Sequence, residues 1–162
     1  MALFTGTFEN KIDRKGRVSL PADFRTELPD GDDRVVYVYR SPKWAALEAC
    51  DKNFMQRLAD SLDQLNMFSD EEDDLGATLV ADARRIILDG EGRFILPSLF
   101  IDFADLNDRA VFVGRGSRFQ IWAPVAFANY STAARERARG RTINLSRPDT
   151  GNLDGGSPDS GK

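Results

Sequence analysis

Residues 13–24 read DRKGRVSLPADF, and a close copy, DGEGRFILPSLF, occupies residues 89–100. Six residues recur at the same internal positions: Asp13/Asp89, Gly16/Gly92, Arg17/Arg93, Leu20/Leu96, Pro21/Pro97 and Phe24/Phe100, each pair 76 residues apart. A self-match at fixed offset means that one supersecondary unit is present twice. Two copies are too few for a solenoid, so the pattern predicts a pseudo-symmetric pair of halves sharing one core.

Within each copy the residue types predict a tight turn. In Asp13-Arg14-Lys15-Gly16 the aspartate suits the first position of a type I turn, and the glycine sits where φ becomes positive, giving a three-residue hairpin loop with a bulge. It would join a strand in ALFTGTFENKI to the alternating RVSL, with Arg14 and Lys15 at the hairpin tip. Pro21 ends that strand and opens a short helix to about Leu28. RVVYVYR (34–40) and WAALEAC (44–50) predict two more strands turned at Ser41-Pro42. Asp51 then caps a helix to about Asn66, with Phe54, Leu58, Leu62 and Leu65 along one face. The order is β-β-α-β-β-α.

The second half repeats this order. Ser69 and Glu72 form an S-x-x-E capping box, which puts Asp70, Glu71, Glu72, Asp73 and Asp74 in a first helical turn where the macrodipole favours acid. That linking helix, to about Thr78, precedes the strand ARRIIL, the turn Asp89–Gly92, the strand RFIL and a short helix after Pro97. AVFVG and FQIW are two further strands, and a final helix runs from Pro124 to about Arg139. The stretch after Ser146 is rich in Gly, Pro, Ser and Asp with one large apolar residue, Leu153, and is expected to be a flexible tail.

Composition narrows the chemistry. The chain of 162 residues is 41% hydrophobic and 30% charged, which suits one ordinary domain or two small fused halves. No apolar run approaches the roughly 20 residues that span a bilayer, and the N-terminus lacks a basic leader before an apolar stretch. A cytoplasmic protein without a membrane partner is expected. Cys50 is the sole cysteine, has no internal disulfide partner and reads as a small buried residue. Histidine is absent, which excludes a serine–histidine triad, an imidazole base and a zinc site of the ordinary type. No catalytic residue, metal or cofactor is predicted.

The net charge of −4 argues against nucleic acid taken as a total, but its distribution matters more. Lys11, Arg14, Lys15 and Arg17 against Asp13 give residues 10–17 a local +3, and Arg135, Arg137, Arg139 and Arg141 against Glu136 do the same at 131–141. A solvated helix face is the ordinary meaning of the second run; an intersubunit or DNA contact is the alternative. At the first, cations on a projecting two-stranded ribbon can neutralise phosphates and reach base edges in a major groove.

The paired D-x-x-G-R-x-x-L-P elements, with FVGRGSRFQIW after the second, closely resemble the MraZ family of bacterial transcriptional regulators, whose halves are each similar to the AbrB/SpoVT swapped-hairpin DNA-binding fold. The resemblance covers roughly residues 1–145. It implies an α+β fold of two tandem pseudo-symmetric AbrB/SpoVT-like halves, 1–68 and 69–145, around a small β-barrel-like core, with 146–162 as the tail. It further implies a ring homo-oligomer associated with the nucleoid. That ring would bind double-stranded DNA at direct repeats upstream of the division and cell-wall gene cluster and regulate that cluster together with its own gene. Under it Lys11, Arg14, Lys15, Arg17 and Arg93 are the DNA-binding set, and Asp13, Gly16, Asp89 and Gly92 are turn-structural. Arg17 either reaches DNA or pairs with Asp13 across the turn.

The second copy departs from the first. Gly90 and Glu91 stand where the first turn has Arg14 and Lys15, so its tip is nearly stripped of cationic reach. Arg84 and Arg85 are consecutive strand residues on opposite faces, so at most one joins the same surface. Two other classes are distinguishable. An antitoxin-like protein-binding module on the same fold would need a tail with apolar anchors. A hydrolase using Asp13 and Asp89 would need both carboxylates on one pocket.

Overall fold

The computed structural model describes residues 1–31 and 34–145, so the tail predicted at 146–162 lies outside the described residues. The first half contains β1 (Thr7–Lys11), β2 (Arg17–Ser19), α1 (Ala22–Arg25), β3 (Val35–Arg40), β4 (Leu47–Cys50) and α2 (Lys52–Asp63). A linking helix α3 (Asp70–Leu75) continues into a π-helical turn over Gly76–Val80. The second half has β5 (Arg84–Ile87), β6 (Arg93–Ile95), α4 (Ser98–Phe103), β7 (Arg109–Gly114), β8 (Arg118–Trp122) and α5 (Pro124–Ala138).

The halves repeat, as expected, but the predicted hairpins do not pair within themselves. The six-stranded sheet runs β1-β7-β8-β4-β3-β5, every neighbour antiparallel, and β2 pairs with β6 as a separate ribbon. β1 of the first half therefore adds to β7 of the second, and β5 of the second adds to β3 of the first. The turn forms, with Asp13 N–H donating to Arg17 O and Gly16 N–H to Asp13 O, both at 3.0 Å, while the strands it joins meet only at an Ile12–Val18 bridge. The reason is burial: each strand gains a full ladder and a shared core by crossing to the other half.

Register makes the symmetry explicit. Val18 lies opposite Phe94, its own counterpart at the 76-residue offset, so the pseudo-two-fold axis passes through the middle of the ribbon. Val18 and Phe94 point inward and join the main core with Phe4, Leu20, Phe24, Leu96, Phe100, Phe112 and Phe119. Burying each such side chain contributes roughly 1.5–3 kcal/mol. The ribbon, linked by the two turns to the edge strands β1 and β5, closes the sheet toward the predicted barrel-like core.

The other sheet face is covered by α2 and α5. Phe127 and Tyr130 of α5 pack on Trp44 and Trp122. Phe54, Met55 and Leu58 of α2 pack on Tyr37 and Tyr39 of β3. Met55 is buried beside the predicted stripe, and the helix stops at Asp63, three residues early. Asp51 caps it through Phe54 N–H at 2.8 Å. Only half of the predicted capping box forms: Ser69 Oγ accepts from Glu72 N–H at 3.2 Å, but Ser69 N–H turns to Asn66 O. The segment 44–50 is strand only from Leu47, with bends before it. Cys50 is buried, and desolvation pushes its thiol pKa up to about 12, so it is inert at neutral pH.

Candidate nucleic-acid interface

With Val18 and Phe94 inward, strand alternation turns Arg17, Ser19, Arg93 and Ile95 outward together. Arg17 lies opposite Ile95 and Ser19 opposite Arg93, so the two arginines stand diagonally on one exposed ribbon face. The antiparallel pairing puts the first turn at the Ile95 end and the second at the Ser19 end. Asn10 Nδ2 donates to Ser19 O at 2.7 Å and ties β1 to the ribbon.

Each turn is held by its aspartate. Asp13 Oδ1 accepts the N–H groups of Lys15 and Arg17, both at 2.9 Å, and Asp89 Oδ1 accepts those of Glu91 and Arg93 at the same distance. The Arg17 N–H foremost, then that of Lys15 and the nearby guanidinium, holds the Asp13 carboxyl below its usual range, and Arg93 does the same for Asp89. The two carboxylates thus serve separate turns at opposite ribbon ends and flank no common pocket. Gly16, at φ +82°, lies so close to the second copy that an added Cβ would sit 2.7 Å from Leu96 O. Leu96 N–H donates to Gly16 O, and Leu20 N–H returns the bond to Gly92 O, both at 2.9 Å.

The predicted cations are not equivalent. Arg14 and Lys15 are exposed at the first tip, and no described acid pairs with either. Arg17 is 3.8 Å from Asp13 through Nε, a long and partly exposed pair of small energetic weight. Arg93 is more firmly held, 3.0 Å from Asp89 and 3.3 Å from Glu91. Lys11 is exposed on β1 opposite Arg109, which itself pairs with Glu9 at 3.2 Å. Arg84 and Arg85 are both exposed on the edge strand β5, and Arg135, Arg137 and Arg139 are exposed on and after α5.

One basic residue in this region is invisible to sequence reasoning. Arg25, at the end of α1, crosses to the second turn, where its Nη1 donates to Glu91 O at 2.6 Å. A periodic pattern reports which face of a helix is apolar; it does not report that a helix of one copy lies on the turn of the other.

Away from the ribbon, a cavity of about 350 Å³ opens on the outer sheet face among Tyr39, Lys43, Trp44, Glu48, Arg118 and Tyr130. Its floor is a satisfied network: Arg118 Nε and Gln120 Nε2 donate to Glu48 at 3.1 and 2.8 Å, and Trp122 Nε1 donates to Gln120 Oε1 at 3.0 Å. No cluster able to hold a metal ion occurs among the described residues, and no described helix is long and apolar enough to cross a membrane.

The family model described as "MraZ protein, putative antitoxin-like" matches this chain twice, over residues 3–65 and 79–143. The chain belongs to the MraZ family. The two matched segments coincide with the structural halves and leave out the whole of the linking helix α3. Relatives named transcriptional regulator MraZ include one from Gluconacetobacter diazotrophicus, 41% identical over 160 residues, 97% of this chain and 99% of the relative. One from Gluconobacter oxydans is 42% identical over 142 residues, 86% of this chain and 87% of the relative. One from Pelagibacter ubique is 36% identical over 136 residues, 84% and 88% of the respective chains. MraZ relatives are thus named as regulators of transcription and not as enzymes.

Proposed function

We propose that this MraZ-family chain is a sequence-specific DNA-binding transcriptional regulator that grips duplex DNA with the outer face of the β2–β6 ribbon. The single observation that carries the reading is that Arg14 and Lys15, exposed at the first turn, pair with no acid among the described residues, and that this turn leads into a ribbon whose outer side bears the half-exposed Arg17 and Arg93. A two-stranded ribbon fits a major groove, and phosphate contacts fix its register there. Asp13, Gly16, Asp89 and Gly92 shape the turns, and Lys11 extends the basic surface along β1.

The operator consists of short direct repeats upstream of the division and cell-wall genes, engaged by a head-to-tail ring. Supporting self-association of that kind is an asymmetry between the copies. Ile87, Leu99 and Phe103, away from the outer ribbon face, are exposed by 48%, 49% and 38%, where the first copy has Lys11, Asp23 and Glu27. An apolar face on one half and a polar face on its counterpart favour a heterologous contact, the type that closes into rings.

Protection footprinting on the region upstream of its own gene tests the reading, with Arg14→Ala/Lys15→Ala as control. Protection at regular repeats, lost in the double variant with folding unchanged, is expected. Equal protection by both proteins removes the ribbon from the function.

A further inference from the structure

We infer that Arg25 is a phosphate contact for DNA, lent by the first copy to the turn of the second. The inference rests on the ribbon interface proposed above and extends it to a residue outside both repeated turn motifs.

The two turns are covered in equivalent ways by different side chains. Residue 101 is the counterpart of residue 25 at the 76-residue offset. Against the first turn lies Ile101, whose Cδ1 would be 3.0 Å from a Cβ built on Gly16. Against the second lies Arg25, and a Cβ on Gly92 would collide with its guanidinium. The same site is apolar in one copy and cationic in the other.

Charge at the tips follows the opposite pattern. The first turn, covered by Ile101, carries its own Arg14 and Lys15. The second turn has Gly90 and Glu91 there, and the carboxylates of Asp89 and Glu91 are both engaged by Arg93. Without Arg25 the second tip is net negative and repels a phosphate; with it, the tip is balanced and offers a guanidinium edge. Among the described residues no acid pairs with Arg25; its recorded side-chain bond is to the neutral Glu91 carbonyl. A planar fork with one arm anchored keeps further N–H groups for a phosphate oxygen. Its backbone is held in turn: Arg34 Nη1 donates to Arg25 O at 3.0 Å, and Arg34 Nη2 donates to Asp30 at 3.2 Å.

The experiment is a salt series of fluorescence-anisotropy titrations on a duplex spanning the region upstream of the protein's own gene. It compares the parent, Arg25→Ile, Arg25→Gln, Arg25→Lys and Arg14→Ala/Lys15→Ala, each checked by thermal melting. Arg25→Ile copies the residue that already covers the other turn, and Arg25→Gln keeps a donor for Glu91 O without the charge. Both are expected to weaken binding about three- to tenfold and to reduce the log–log salt slope by roughly 0.9, the loss of one phosphate contact. Arg25→Lys should keep the parental slope, a discrimination that a purely structural side chain would not make. Parental affinity and slope in Arg25→Ile and Arg25→Gln, with Arg14→Ala/Lys15→Ala weakened, overturn the role of Arg25 alone; parental behaviour of all variants overturns it together with the ribbon interface.

Discussion

At Gly16 two constraints meet, a φ of +82° and the Leu96 carbonyl of the other copy, while Gly90 has open space and no positive φ. Gly16→Ala is therefore expected to cost about 1–3 kcal/mol from backbone strain, with the clash added, whereas Gly90→Ala stays within about 0.5 kcal/mol. Chemical denaturation of the two variants checks the contrast. The aspartates that close the turns give a pH test. Their carboxyls are held below the ordinary carboxylate value near 3.9, so near pH 4 the unfolded chain binds more protons than the folded one. The stability they supply is present above that pH and is lost as pH falls through the lowered folded values. Asp13→Asn/Asp89→Asn, which keeps acceptor oxygens but does not titrate, should show a shallower fall in Tm between about pH 4 and pH 2. At this scale the sequence was highly legible: Asp, Gly and Pro dictate turn chemistry through a few adjacent bonds, and adjacent residues are what a sequence displays.

Legibility falls at the scale of elements. The hydrogen bonds of residues 13–17 are the same whether β1 and β2 pair with each other or with strands of the other half, so the turn could be read from its own residues, whereas only the resemblance to a swapped-hairpin fold pointed to an exchange. Partner choice was set by burial of Val18 and Phe94 between the halves, a long-range gain with no local mark. For the same reason Arg25 was missed and the second tip read as bare. Its weakness as a phosphate site is nevertheless a charge effect that can be reversed. Glu91→Lys removes an acid and releases Arg93 from a 3.3 Å pair, while Lys15→Glu puts an acid at the unpaired first tip. Glu91→Lys is expected to tighten binding and Lys15→Glu to weaken it more than tenfold, both read by anisotropy at fixed salt, and a salt series should show a steeper slope for Glu91→Lys. Effects of equal size and opposite sign would show that the tips are interchangeable.

For the whole molecule, the small basic surface has to act on a chain of net charge −4. One tip with three or four cations gives no more than nonspecific affinity, about 10⁻⁴–10⁻⁶ M at physiological salt. Head-to-tail copies would present identical ribbons in the same direction at fixed spacing, so that successive direct repeats are engaged intramolecularly and avidity rises by roughly 10²–10⁴. A two-fold dimer would favour inverted repeats instead. The exposed Leu99 and Phe103 offer the sharpest test, because the first copy carries polar residues, Asp23 and Glu27, at the matching positions. Leu99→Asp/Phe103→Glu matches the first copy at these two positions and should leave the buried Phe100 and the fold in place. By light scattering the parent is expected well above its 18.1 kDa monomer mass, and the variant as smaller species. On duplexes with one and three repeats the parent should gain steeply with repeat number, and the variant should bind both with nearly the affinity the parent has for one. A parent that is monomeric at micromolar concentration would remove the multivalent mechanism while leaving the single ribbon contact intact.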